Sequence, residues 1–218
     1  MAGHNPDLSH QFEDMAQQRE AATLGMWAFL ITEVLFFGGL FTAYIVFRTQ
    51  FPDAFARASD QLDIVLGGIN TAILLGSSLT MALAVHAAQE GKRAATLRFL
   101  GVTGLLGLAF LVIKGFEYAH KFGHNLFPGA SFVYHGPEPD HAQLFFILYF
   151  MMTGVHAAHM IVGILLLCVI AWMTARGRFS AEYHSPVENF GLYWHFVDIV
   201  WIFLYPLLYL IDVTGRVH

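Results

Sequence analysis

Seven titratable side chains stand in surroundings that are otherwise almost wholly apolar: Glu33, Lys114, Glu117, His156, His159, His195 and Asp198. Six of them form pairs at i and i+3, namely Lys114 with Glu117, His156 with His159, and His195 with Asp198. That spacing sets two side chains about 60° apart around a helix, so each pair shares a face. Lys114 and Glu117 are expected to neutralise each other, because losing either partner would strand a charge. The "HAAH" of His156 and His159, with His195 and Asp198 on the next segment, raises a second chemistry. Imidazoles ligate haem, copper and zinc, and helix bundles assemble such sites in their cores. Two histidines at this spacing serve equally well as hydrogen-bonding groups between helices. Neither H-E-x-x-H, C-x-x-C-H nor G-x-G-x-x-G occurs to decide the matter. Glu33 has Leu30, Thr32, Val34, Phe36 and Phe37 for neighbours, with no opposite charge one turn away. Such surroundings favour a neutral carboxyl, fit either to carry protons or to bond a neighbouring helix.

The elements that must position these groups follow from composition. The chain has 218 residues, 56% of them hydrophobic and only 12% charged. Soluble domains carry about 25% charged residues, so this chain has too little polar surface for water and reads as a membrane protein. A net charge of −5, with no basic cluster beyond the few residues near Lys92, argues against nucleic acid as a partner. Cys168 stands alone, cannot form an internal disulfide, and is expected to pack as a small apolar residue. Residues 1–19 form a polar segment without the basic and apolar regions of a cleaved secretory signal.

A bilayer core about 30 Å thick needs roughly 20 apolar helical residues. Five segments meet that length, near 20–47, 64–89, 95–121, 141–174 and 186–212. The expected fold is all-α: a polytopic membrane bundle of five transmembrane helices in one domain, residues 20–212, followed by a tail, 213–218. Pro52, Asp60, Gly91 and the run "FPGASFVYHGPEPD" supply breaks between segments. Arg19, Lys92, Arg93, Arg98, Arg176 and Arg178 fall on the side of the N-terminus, and Arg48, Arg57, Lys121 and Arg216 fall opposite. This bias favours a cytoplasmic N-terminus and places His218 on the other face. Gly68, Ala72, Gly76, Thr80, Ala84 and Ala88 recur every fourth residue, as do Gly154 and Ala158, suggesting faces where a neighbouring backbone approaches closely. Trp27, Trp172, Trp194, Tyr205 and Tyr209 lie toward segment ends, where interfacial aromatics are expected.

The stretches "LGMWAFLITEVLFFGGLF", "AVHAAQEGKR", "KGFEY", "TGVHAAHMIVG" and "YWHFVDIVWIFLY" resemble, in order, the signatures of subunit III of the haem-copper oxidases, the cytochrome c oxidase family. The last two are the most specific. The resemblance implies an accessory, non-catalytic subunit beside catalytic subunit I, and with it subunit II, which hold the haem and copper; this chain would bind no cofactor of its own, phospholipid apart. Cytochrome c or another donor would act on the complex indirectly, within a bacterial inner-membrane respiratory chain, with a respiratory supercomplex as a further expected setting. Glu33 matches the family's carbodiimide-reactive carboxylate near proposed proton and oxygen routes. His86, Gly91 and Arg93 match the end of the next helix, and Glu117 with Tyr118 its E-Y motif. His156, His159, His195 and Asp198 match family positions that are not metal ligands, so that with His86, Lys114 and Glu117 they would form a buried polar network. Longer family members have seven helices, with a lipid-filled cleft behind the first two, and this sequence aligns from the third.

Other readings remain open on the residues. A quinol-oxidase subunit III or a nitric oxide reductase-associated homologue would share these motifs. An independent membrane redox protein would bind haem or copper through His156, His159 and His195. A proton-coupled transporter would use Glu33, Lys114 and Glu117, although no inverted repeat or broken helix pair supports it.

Overall fold

The computed structural model describes residues 10–129 and 132–211. Among them it contains six helices and no strand: α1 (Met15–Gln50), α2 (Pro52–Ser59), α3 (Ile64–Gln89), α4 (Arg93–Gly123), α5 (Pro139–Ala175) and α6 (Ser185–Tyr209). All but α2 are long and apolar enough to cross a membrane, which makes this a multi-pass membrane protein. Arg216, His218, the tail 213–218 and the expected helix end at Asp212 lie outside the described residues.

Several helix ends are set by identifiable caps. Asp14 accepts from the Gln17 amide, so α1 starts five residues before the expected Glu20. Asp63 likewise accepts from Leu66 N at the start of α3. Gly91, at φ +69°, closes α3: its N–H donates to Ala88 O at 3.0 Å, and Lys92 N donates to Ala87 O at 2.8 Å. Gly177, at φ +72°, ends α5 in the same paired pattern, with Gly177 N to Thr174 O and Arg178 N to Met173 O. A side chain is strained at these two left-handed positions, which is why glycine stops both helices.

The expected break between Pro52 and Asp60 is instead the short helix α2. Proline is well placed in a first turn, where its missing N–H has no acceptor to lose. Ala54, Phe55, Ala58 and Ser59 of this helix are buried, and α2 packs on α5.

α6 is the centre of the bundle, touching α1, α3 and α5, while α4 packs between α3 and α5. α1 sits at the edge against α5 and α6 and buries only Leu30, Phe37 and Tyr44. In a bilayer its remaining apolar side chains face lipid or other membrane helices, a normal environment for them. Glycines admit the large rings of α6. A Cβ on Gly107 would lie 2.9 Å from Trp194 Cη2, and one on Gly67 would lie 2.8 Å from Tyr205 Cε2.

Three packing expectations are corrected. The every-fourth-residue stripe does not stay on one face: Gly68, Gly76 and Thr80 are half-buried, Ala72 is exposed, and Ala84 and Ala88 are buried. With 3.6 residues per turn, each step of four overshoots a full turn by about 40°, so the stripe winds around the helix. The packed face of α3 runs instead through Gly67, Asn70, Leu74, Ser77, Met81 and Ala84. Gly154 is half-buried but Ala158 is exposed. Trp194 and Tyr209 are core residues, not interfacial ones, because each polar tip finds a partner inside. Cys168 points outward from α5 and does not pack in the core.

Candidate functional site

The most polar part of the core is built around Lys114 and Glu117 on α4. Lys114 Nζ lies 2.8 Å from Glu117 Oε2, and both side chains are almost fully buried. The ammonium also donates to Tyr209 Oη at 2.8 Å and to Tyr149 Oη at 3.2 Å. Both phenols donate in turn to Glu117 Oε1, at 2.6 Å from Tyr209 and 2.8 Å from Tyr149. Three helices are thereby tied to one ion pair whose lone pairs and protons are largely used, the condition under which a buried pair is tolerable. Lys121, expected at the membrane edge, is also buried and donates to the Gln61 carbonyl. Neither tyrosine stands out in sequence; the one available signal is a hydroxyl-bearing ring inside an apolar span, which needs a partner.

Glu33 acquires a counter-group that its own helix does not supply. His159 Nε2 of α5 lies 3.1 Å from Glu33 Oε2, while His159 Nδ1 faces the Val155 carbonyl at 2.9 Å. The Nδ1 position therefore carries the proton, which leaves Nε2 to share a second one with the carboxylate. The pair lines a groove of about 600 Å³ between α1, α5 and α6, otherwise walled by apolar residues such as Met26, Phe29, Val162, Leu166 and Phe190. Tyr193 donates to the His159 carbonyl at 2.8 Å and helps fix that turn.

The imidazoles do not converge. His156 is buried between Phe110 and Trp201, with ring centroids 5.4 and 5.2 Å away, and neither ring nitrogen has a hydrogen-bond partner among the described residues. His159 turns to α1, and His195 turns to α3, where Nδ1 meets Ser78 Oγ at 2.7 Å. The 60° between i and i+3 positions is enough, in a tight bundle, to point two side chains at different neighbours. Among the described residues no group of three His, Cys, Asp or Glu side chains is placed to hold a metal ion. His156, His159 and His195 face three different neighbours, the rings of Phe110 and Trp201, the Glu33 carboxyl and the Ser78 hydroxyl, and are not gathered into one ligand set.

Two further members of the expected buried network behave differently. His86 is exposed in the last turn of α3, 3.7 Å from Glu90, because the packed side of that turn is taken by Ala84, Ala87 and Ala88. Asp198 is buried as expected but does not bond His195, and neither carboxyl oxygen has a partner among the described residues.

Residues 9–213 match the family model for cytochrome c oxidase subunit III. The chain belongs to that family. A Synechocystis protein named cytochrome c oxidase subunit 3 is 34% identical over 188 residues, covering 86% of this chain and 74% of that protein. One from Thermostichus vulcanus, of the same name, is 31% identical and is covered nearly end to end, 94% of this chain and 92% of the relative. A third, from Oncorhynchus mykiss, is 33% identical over 85% of this chain and 67% of its own length. Subunit III of a haem-copper oxidase is a member of a complex, which accords with a bundle whose polar groups are mostly satisfied internally and whose outer faces are apolar.

Proposed function

We propose that this chain is the accessory third subunit of a bacterial cytochrome c oxidase, packed beside catalytic subunit I and near subunit II, which hold the haem and copper. It stands in the inner membrane with its N-terminus cytoplasmic and its C-terminus periplasmic. Its part in turnover is to support proton uptake and oxygen access while holding the catalytic subunit in its working form.

The Glu33–His159 pair at the side of an apolar groove carries this reading. A carboxylate and an imidazole 3.1 Å apart share a charge-assisted hydrogen bond between α1 and α5, the kind of contact along which a proton can pass. The groove around them is wide and apolar enough for a lipid acyl chain or dissolved oxygen to approach. Lys114, Glu117 and the tyrosines serve as the bundle's structural anchor, because their charges are committed to each other.

The test is replacement of Glu33 by Gln and by Ala in the intact oxidase. Reduced proton pumping or a shorter working lifetime, with the haem spectra unchanged, is expected in both. Wild-type turnover, pumping and lifetime in both variants would make Glu33 a packing residue.

A further inference from the structure

The last turn of α4 divides its polar side chains between two faces. Glu117 and Lys121 are buried in the bundle, where Lys121 donates to the Gln61 carbonyl. His120 and His124 are exposed on the outer side of the same turn. His124 N donates to His120 O at 3.2 Å, so the chain is still helical here and the two residues stand at i and i+4 on one face. Their rings approach to 4.4 Å between centroids, inclined at 64°. Among the described residues neither imidazole has a hydrogen bond or an ion pair, whereas His86, His141, His159, His184 and His195 each face an oxygen.

A neutral imidazole offers one bare ring nitrogen as a ligand, and two histidines at i and i+4 on one helix face can hold a single ion. With a metal–nitrogen bond of about 2.0–2.1 Å, each ring centre stands about 3.2 Å from the ion, and a tetrahedral ion sets two such centres about 5.2 Å apart. Centroids 4.4 Å apart subtend instead about 90° at the ion, the angle between neighbouring ligands in square-planar and octahedral coordination. Imidazole suits nickel and copper ions, which take tetragonal geometry. The remaining positions open onto two grooves. His124 lines one of about 360 Å³ with Tyr134 and His135, and His120 lines one of about 420 Å³ with Asp60 and Asp63, carboxylates that favour the approach of a dication. Two protein ligands with water completing the shell need no third side chain, in keeping with the lack of a three-residue metal group among the described residues.

We propose that His120 and His124 form a two-imidazole site for a divalent transition-metal ion of the nickel or copper kind, with water in its other positions. A bound ion ties residue i to residue i+4 across the last turn of α4. The site stands on this chain's own residues and is independent of the part the subunit plays in turnover.

Equilibrium dialysis of the intact complex against Ni²⁺, with bound nickel counted by atomic emission, tests this. Wild type is expected to hold one more ion than His120→Gln, than His124→Gln and than the double variant, all three alike, because the two rings act as one unit. Both side chains are exposed and unbonded, so these variants should retain the subunit as wild type does. His86→Gln, which removes an exposed histidine from the last turn of α3, should keep the wild-type count. A count equal to wild type in any of the three variants overturns the site. So does a double variant that loses two ions where each single loses one, since that would mean two independent histidines, and so does an equal loss in His86→Gln.

Discussion

Replacing Lys114 by Met leaves Glu117 buried with two phenolic donors, Tyr149 at 2.8 Å and Tyr209 at 2.6 Å, and no cation. The mirror change, Glu117→Leu, leaves an ammonium with only the two neutral phenol oxygens and the rings of Tyr118, Tyr149, Trp201 and Tyr209, all 5.1–5.5 Å away. Breaking a buried pair by removing one partner costs about 3–5 kcal/mol. Lys114→Met is expected near the lower end, because two hydrogen bonds still serve the carboxylate. The double variant, with both charges gone and similar volume filled, should return to within about 1–2 kcal/mol of wild type, since apolar replacement of a whole buried pair is often neutral. The measurement is a double-mutant cycle on thermal unfolding of the assembled oxidase, followed through retention of this subunit. A double variant as unstable as the two singles combined would refute the claim that each charge is there chiefly to neutralise the other.

Three further outcomes are expected. Gly107→Ala places a methyl 2.9 Å from Trp194 Cη2 and should destabilise by about 1–3 kcal/mol, whereas Gly101→Ala, with nothing within 4 Å, should be neutral or stabilising; equal melting shifts for the two would contradict the packing. Tyr44→Phe removes the 2.6 Å bond to the Leu207 carbonyl, one of the last acceptors of α6, and should cost about 1–3 kcal/mol, read as earlier loss of this subunit on heating. The hydrogen bond from Lys92, helped by its charge and that of His86, holds the Glu90 carboxyl below its ordinary range; a group so depressed favours the fold at higher pH, an effect lost as pH falls through its lowered value, and Lys92→Gln should move the carboxyl's NMR titration midpoint upward.

The parts of this molecule legible in its sequence are those whose information is local. Five runs of apolar residues long enough to span a bilayer announce five helices, and Gly91 announces the end of α3 because only a left-handed turn lets the chain reverse there. α2 was not legible, since Pro52 and Asp60 look like loop punctuation, and it takes the burial of Phe55 against Tyr44 and Phe145 to hold eight residues helical. The caps at Leu207 and Leu208 were hidden for the same reason: their donors, Tyr44 and Ser59, come from α1 and α2.

The polar groups divide along the same line. Lys114 and Glu117 find each other across one turn of one helix, so spacing alone pairs them. Glu33 and His159 are 126 residues apart, and nothing in the neighbourhood of either shows that α1 and α5 will bring them within 3.1 Å. Spacing misleads for the remaining pairs, because a shared helix face meets two different neighbours in a tight bundle: His156 is sandwiched by rings, His159 meets a carboxylate, and His195 meets a serine. In a membrane this division has a functional consequence. A polar pair within one helix is assembled as soon as the helix inserts and can serve as an anchor, whereas one made between helices exists only when the bundle is closed. The proton-handling role proposed for Glu33 with His159 needs a pair of the second class, since a shift of one helix against another is enough to make or break it.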